Sequence, residues 1–565
     1  MMRFASICLL LAGCPNASEE AMESPVHFEC VPGSDPGESH LHRLTKVQYE
    51  NSIRDVMQQR FSEEETARLL EAIREPLDAA PGESGEDIGR VDHTVAQEHV
   101  DSFYLVAWGI SQWATQGSRI ETLLGNCASL DAPECISDFL DDFGSKVLRR
   151  PLRDSERSYY LDIYGEHSSL NPTALAETLT VLLAAPHFVY HIEDEGTPVN
   201  QREDLITVSP YALASRLSYH FWQTMPDEAL FEAAAEGRLA TEEGYKAEVE
   251  RIFNHPRTHA SLATFFHQWL QLEEVPDLDK GVGTAQFDAF AGTDIPSPHL
   301  REEMIEEVTD FVNHQIWDHQ GAFDDLFLNE QSFAKSEDLA RIYEIPPWVE
   351  GEDPPYFPQG ERPGLLGRAA FLATGTTLTQ PIHRGTFIRR NLLCDKLGDP
   401  PADLGEVPEI DPLASRRVQT ETLTESEGSS CLVCHERINH LGYPTESFDA
   451  LGRYRTRETI YGEDGTILAE PAIETQSTPQ VLLGDMTAAS GLSDLNTLLL
   501  DSGKVQACMA RHYFRFAYAR VEQLDVDGCA LEQIRTDLER GTPLREAMKN
   551  VALQPEFKLR FRGAP

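Results

Sequence analysis

The stretch SPYALASRLSYHFWQTMPDEALFEAAAEGRLA, residues 209–240, shows the pattern that most constrains the fold of this chain. Ser209 is suited to cap a helix and Pro210 to occupy its first turn, and Ala212, Leu213, Leu217 and Phe221 form an apolar stripe. The same periodicity appears in HRLTKVQYENSIRDVM, where Thr45 caps and Leu44, Tyr49, Ile53 and Val56 line one face. It continues in VAQEHVDSFYLVAWGISQWA, in the two helices joined at Pro151, in NPTALAETLTVLLAAP, in SLATFFHQWLQLE and in EEMIEEVTDFVNHQIWD. Few period-two strands precede residue 360. YRTRETIYGEDGTILAEP predicts one hairpin, with GEDG as its turn. The expected fold class is therefore mainly α: a multi-module helical architecture with a small β-hairpin element near the C-terminal CxxCH segment.

A chain of 565 residues exceeds what one core usually serves, and about 150 residues per domain predicts three or four units. A net charge of −47 makes nucleic acid and anionic lipid poor partners; the simplest reading is a solvated acidic surface, and the sharper one is docking to a basic protein. The amino terminus, MMRFASICLLLAGC, has one charge, Arg3, before a short apolar run. The run is too short to span a bilayer and resembles an export signal that ends in a bacterial lipobox. Cys14 is then the lipidated residue, with 1–13 as the lipoprotein signal peptide and 14–38 as a flexible tether. The expected location is an exported, membrane-anchored lipoprotein, periplasmic or cell-surface, with Pro15 favouring the outer membrane.

In an oxidising compartment, six of the remaining cysteines suggest three disulfides. Cys127 and Cys135 flank a short polar loop, and Cys508 and Cys529 bracket a helix and a turn. Cys30 with Cys394 is what remains.

The other two cysteines lie in Cys431-Leu432-Val433-Cys434-His435. This is the spacing of a c-type haem site, in which two thiols add to the haem vinyl groups and the adjacent histidine ligates the iron. Cys431, Cys434 and His435 are the expected cofactor-binding residues, with covalent haem c as the cofactor and His435 as the proximal ligand. Met486, in a loop, is the candidate distal ligand. Met509, His512, His440 and His383 are weaker alternatives, and Arg453 and Arg455 are candidates for pairing with haem propionates. Three other chemistries fit parts of the motif: a Cys431–Cys434 disulfide, a zinc site with His440, and a thioredoxin-like dithiol. His187 and His191, four residues apart, could share a face as metal ligands, although a structural role is the simpler reading.

In order along the chain, HRLTKVQYENSIRDVM, LRRPLRDSERSYYLDIY, SPYALASRLSYHFWQTMPDEAL, GLLGRAAFLATGTTLTQPIHRGTFIRRNLLC, CLVCHERINHLGYPTESFDALGRYR and the closing PLREAMKNVALQPEFKLR resemble the large exported proteins of planctomycetes and myxobacteria. Those proteins carry domains of unknown function 1587, 1595, 1592, 1588 and 1585, and the lipobox is similar to the myxobacterial lipoprotein branch. The resemblance implies helical modules at 39–125 (1587-like), 126–196 (1595-like) and 205–340 (1592-like), a CxxCH-bearing module at 360–462 (1588-like) and a helical module at 490–562 (1585-like). It implies a cytochrome-like protein and no established reaction. The expected function is a lipid-anchored c-type haem protein acting in electron transfer or haem-dependent oxidation, with a redox protein of basic surface as partner. The alternative is a non-catalytic envelope scaffold or binding protein in which CLVCH is a disulfide-stapled structural turn.

Overall fold

The computed structural model describes residues 23–38, 41–79, 88, 96–125, 132–167, 169–193, 195–398, 408–426 and 431–562. Among them helix dominates and the strands are short, so the chain is mainly α. The local signals act as the sequence dictates. Thr45 accepts the Gln48 N–H and Gln48 Oε1 accepts the Thr45 N–H, a reciprocal box that starts helix Lys46–Gln58. Ser209 accepts the Ala212 N–H at the head of Pro210–Trp222. Among the described residues no helix is long and apolar enough to cross a membrane.

The chain divides into two compact units. One, the histidine unit, gathers Phe28–Leu270, Val312–Gly321 and Ala510–Pro565. A cluster running from Leu44 to Met225, with Ile53, Val106, Leu140, Leu179 and Phe188 wholly enclosed, forms a large part of its core. The other, the thiol unit, contains Gln271–Phe311 and Ala322–Met509, together with the start of the chain up to His27. It holds the CxxCH motif, the hairpin Ile460–Tyr461 with Ile467–Ala469, and a small cluster of Phe287, Phe290, Ala291, Ala450 and Leu451.

Three sequence expectations are corrected. The histidine unit contains a three-stranded antiparallel sheet that periodicity does not announce: Gly196–Val199, Arg202–Val208 and Leu559–Phe561, with Ile206 opposite Arg560. Its hairpin turns at Asn200 and Gln201, both with positive φ (52° and 64°), so the signal is Asn-Gln where Asn-Gly would have been conspicuous. The third strand arrives some 350 residues later, beyond any local pattern.

Residues 23–38 are not a loose tether. In the thiol unit Ser24 N–H donates to Asp395, and Glu23 accepts from Lys504 and from the Leu483 N–H. In the histidine unit Phe28 N–H donates to Glu532 and Gly37 N–H to Asp527. Acidic side chains take up backbone N–H groups that a free coil would give to water.

The disulfides are Cys30–Cys529 and Cys394–Cys508, not Cys508–Cys529 and Cys30–Cys394. Cys508 closes onto Cys394 within the thiol unit, and Cys529 onto Cys30 within the histidine unit. Gly528 brings its backbone against the Glu29 carbonyl, where a Cβ would collide, and this contact places the neighbouring Cys529 beside Cys30. Cys135 is disulfide-bonded, while Cys127 and the lipobox with Cys14 lie outside the described residues.

Candidate functional site

Helix Leu432–Gly442 carries the motif, with Cys431 immediately before it. The Cys434 and His435 N–H groups both point to the Cys431 carbonyl, at 3.3 and 3.0 Å, so the helix begins inside the motif. Spacings of three and four residues put Cys431, Cys434 and His435 on one face. All three are partly exposed, and Cys431 and Cys434 are thiols, not joined to each other.

Two arginines and two glycines set this helix in place. Gly385, in Pro381–Phe387, and Gly442 sit where the two helices meet backbone to backbone. A Cβ at Gly385 would collide with the Ile438 carbonyl, and one at Gly442 with the Pro381 carbonyl. Buried Arg389 donates to the Arg437 carbonyl at 2.8 Å, to the Pro479 and Gln480 carbonyls at 3.1 Å, and to Asp395 at 3.0 Å. Buried Arg384 donates to the Thr445 carbonyl at 3.0 Å and the Asp449 carbonyl at 3.2 Å, and burial lowers its guanidinium to about 10. A planar fork of donors satisfies several carbonyls at once, which suits arginine for fixing the turns beyond a helix.

The stripe continues down the helix. His435 Nδ1 lies 3.2 Å from Asn439 Oδ1. Asn439 is fully buried, and its Nδ2 donates to Thr424 Oγ1 at 2.9 Å and to Glu425 Oε1 at 2.7 Å. These two bonds identify the amide nitrogen, so the atom facing His435 is the oxygen, an acceptor only. In the neutral imidazole of His435 the proton therefore sits on Nδ1, and Nε2 carries the lone pair. Glu425 also accepts from Tyr443 at 2.7 Å and faces His440 Nε2 at 3.5 Å. Burial pushes the Glu425 carboxyl up, but the bonds from His440, Tyr443 and Asn439 outweigh it and hold it below its ordinary value. Asn439, Tyr443 and Glu425 are absent from the sequence reading. The i+4 steps from His435 to Asn439 to Tyr443 were available as a signal, but the approach of Glu425 is tertiary.

The other candidates are dispersed or committed elsewhere. His440 accepts the Thr478 N–H on Nδ1 at 3.2 Å and turns Nε2 to Glu425. Arg453 pairs with Asp449 and Asp294 and donates to the Ala291 and Phe290 carbonyls, and Arg455 turns to Glu446. Those bonds take up the Arg453 guanidinium as a structural clamp. Met486 is 63% exposed in a loop, Met509 is fully buried and His383 is exposed. In the histidine unit His187 meets Arg150, while His191 meets Gln48, so these two do not converge on one point.

The residues at the motif fit a haem. There are two unjoined thiols and an imidazole whose Nε2 is the nitrogen without the proton. Val418, Leu423 and Val433, on the motif helix and on neighbouring Arg416–Thr424, keep apolar side chains exposed.

Four family models match the chain, each described as a protein of unknown function: DUF1595 over residues 135–193, DUF1592 over 208–345, DUF1588 over 362–458 and DUF1585 over 485–557. The DUF1588 model, with the short name PSCyt3, contains the whole stripe from Cys431 to Tyr443. None of the four covers the expected 1587 module at 39–125. No curated protein and no solved structure matches the chain.

Proposed function

The chain belongs to the multi-module family that joins the DUF1595, DUF1592, DUF1588 and DUF1585 modules, and from that premise we propose that it is a lipid-anchored, exported c-type haem protein acting in electron transfer or in haem-dependent oxidation of a substrate. The observation that carries this reading is the CxxCH motif presented on one helix, with both thiols unjoined beside His435. Asn439 accepts the Nδ1 proton, so Nε2 is bare beside two thiols on one helix face. This arrangement suits a metal-ligating histidine, whose other ring nitrogen is held by a hydrogen-bond acceptor. Cys431 and Cys434 would hold the haem through thioether bonds and His435 would ligate its iron. The bound haem would supply one-electron redox chemistry.

The protein's own groups then have defined tasks. Asn439 holds the imidazole in one tautomer and one orientation. Thr424 and Glu425 keep that amide from flipping. Val418, Leu423 and Val433 offer apolar surface to a macrocycle. Cys14, at the end of the lipobox, would carry the lipid, and a basic redox protein matches the charge of −47. Met486, in its exposed loop, is the proposed distal ligand.

The deciding experiment is the reduced and oxidised visible spectrum of the exported protein, made alongside the haem-attachment machinery, with its intact mass. One covalent haem and a sharp α band that is lost in His435→Ala are expected. A colourless protein of unmodified mass, with Cys431 and Cys434 oxidised together, would overturn the proposal and leave the scaffold reading.

A further inference from the structure

The histidine unit contains a half-open cleft with a cavity volume of about 80 Å³, room for part of a small ligand whose remainder faces solvent. Its walls come from strand residues His42 and His191, from Arg216, Tyr219 and His220 on helix Pro210–Trp222, and from the segments 516–520 and 556–559.

The arginine, glutamine and tyrosine donors of these walls are turned to protein acceptors. Arg216 forks onto Glu193 and reaches the Phe557 and Leu559 carbonyls at 2.6 and 2.9 Å. Arg520 forks onto Asp527 at 2.6 and 2.7 Å. Gln48 donates to Gln223 at 3.0 Å, and Gln223 to the Tyr219 carbonyl at 2.7 Å. Ser52 donates to the Gln48 carbonyl, so the Tyr219 hydroxyl, 2.8 Å from Ser52 Oγ, gives its proton to that oxygen. The Tyr518 hydroxyl donates to Gln554 at 3.1 Å.

Acceptors are left over. The single Tyr513 hydroxyl proton goes to the Met548 carbonyl at 3.0 Å, so His220 Nε2, at 3.3 Å, must be the donor to that hydroxyl. The proton then sits on Nε2, and His220 Nδ1 is a buried lone pair with no hydrogen-bond partner in a residue only 4% exposed. Gln48 Oε1 already accepts from the Thr45 N–H. His191 Nε2, 3.4 Å away, therefore donates to it, and the His191 Nδ1 is bare. Half-buried Glu556 adds a carboxylate. Burial lowers the His220 imidazole to about 3, and burial with the Arg149 charge holds His191 well below its ordinary value, so both are neutral. Tyr219, Phe516, Tyr518 and Phe557 add ring faces.

From this surplus of acceptors and ring faces we propose that the cleft is a binding site for an uncharged ring compound bearing hydroxyl groups, which donates hydrogen bonds to His220 Nδ1 and His191 Nδ1. Two guanidiniums at the walls disfavour a cation, and the Glu556 carboxylate beside the two imidazole lone pairs disfavours an anion. The site is independent of the haem reading.

The test uses the full-length protein, with D-glucose and catechol as probes for a sugar ring and a phenolic ring, and benzylamine as the cationic control. Binding is read by saturation-transfer NMR and calorimetry. One of the two hydroxylated probes is expected to bind, tenfold or more weakly in His220→Phe, which keeps the ring among its aromatic neighbours. Glu556→Gln, at the half-buried wall, guards against misfolding of the first variant and is expected to weaken the same probe two- to fivefold. Binding of neither hydroxylated probe, affinity unchanged in both variants, or binding of benzylamine alone would each overturn the proposal.

Discussion

His435 lies in the first turn of its helix, partly exposed beside two thiols, whereas His220 lies near the end of Pro210–Trp222, almost entirely enclosed by aromatic rings. In each, one ring nitrogen is assigned its proton by a partner with a single available role. The Asn439 oxygen can only accept, and the Tyr513 hydroxyl has already spent its proton. The bare nitrogen is Nε2 in the first and Nδ1 in the second. Tautomer is thus set by the neighbour's hydrogen-bond inventory, and surroundings decide what the bare nitrogen can meet. The first nitrogen lies on a partly exposed helix face beside two thiols, the second in a buried ring among aromatic neighbours.

Experiments on the two units can break or sharpen this contrast. The largest effect is expected from the disulfides. Cys30→Ser/Cys529→Ser should cost about 6 kcal/mol in urea denaturation. Cys394→Ser/Cys508→Ser should cost about 1 kcal/mol less, because chain entropy grows with the logarithm of a loop of 499 against 114 residues. Equal costs would mean that loop length is not what separates the units. Gly385→Ala comes next, at about 3 kcal/mol, since backbone must move where its Cβ meets the Ile438 carbonyl. The same variant should lose haem incorporation, read as absorbance per mole, with the histidine unit's probe binding unaffected.

Asn439→Leu should destabilise by about 2 kcal/mol, because Thr424 and Glu425 lose a buried donor. It should also remove the fixed His435 tautomer, seen as altered imidazole nitrogen shifts in NMR. Asn439→Gln restoring neither stability nor tautomer would fit a site that needs this amide at this length. Acidification should separate the units by a smaller slope. Burial lowers His220 and His512 to about 3 in the folded state, so between that value and the unfolded value near 6.5 the unfolded chain binds more protons. Stability should fall with falling pH by about 1.4 kcal/mol per pH unit for each such histidine. His220→Phe should reduce the slope by one histidine's share, and an unchanged slope would contradict a buried neutral imidazole. Glu425 behaves as a depressed carboxylate, so its contribution is present above its unfolded value and is lost only as pH falls through the lower folded value. Tyr513→Phe, the mildest change, should cost about 1 kcal/mol and leave the haem spectrum unchanged.

Much of this protein is legible along the chain because the governing forces are local. Caps such as Thr45 and Ser209, the stripe on Pro210–Trp222, the GEDG hairpin and the shared face of Cys431, Cys434 and His435 all depend on residues within a few positions. The order of the modules is equally a property of sequence. Other features required the fold. The exchange of disulfide partners depends on where Gly528 meets Glu29, and the third strand of the sheet depends on a tail some 350 residues from its hairpin. The clamping of Arg453, the fixing of Asn439 by Glu425 and the unpaired Nδ1 of His220 are also set by residues distant in the chain or by enclosure. Side-chain periodicity reports which face of a helix is buried. It does not report which distant group will be waiting there, and hydrogen-bond inventories close only between groups that the tertiary structure brings together.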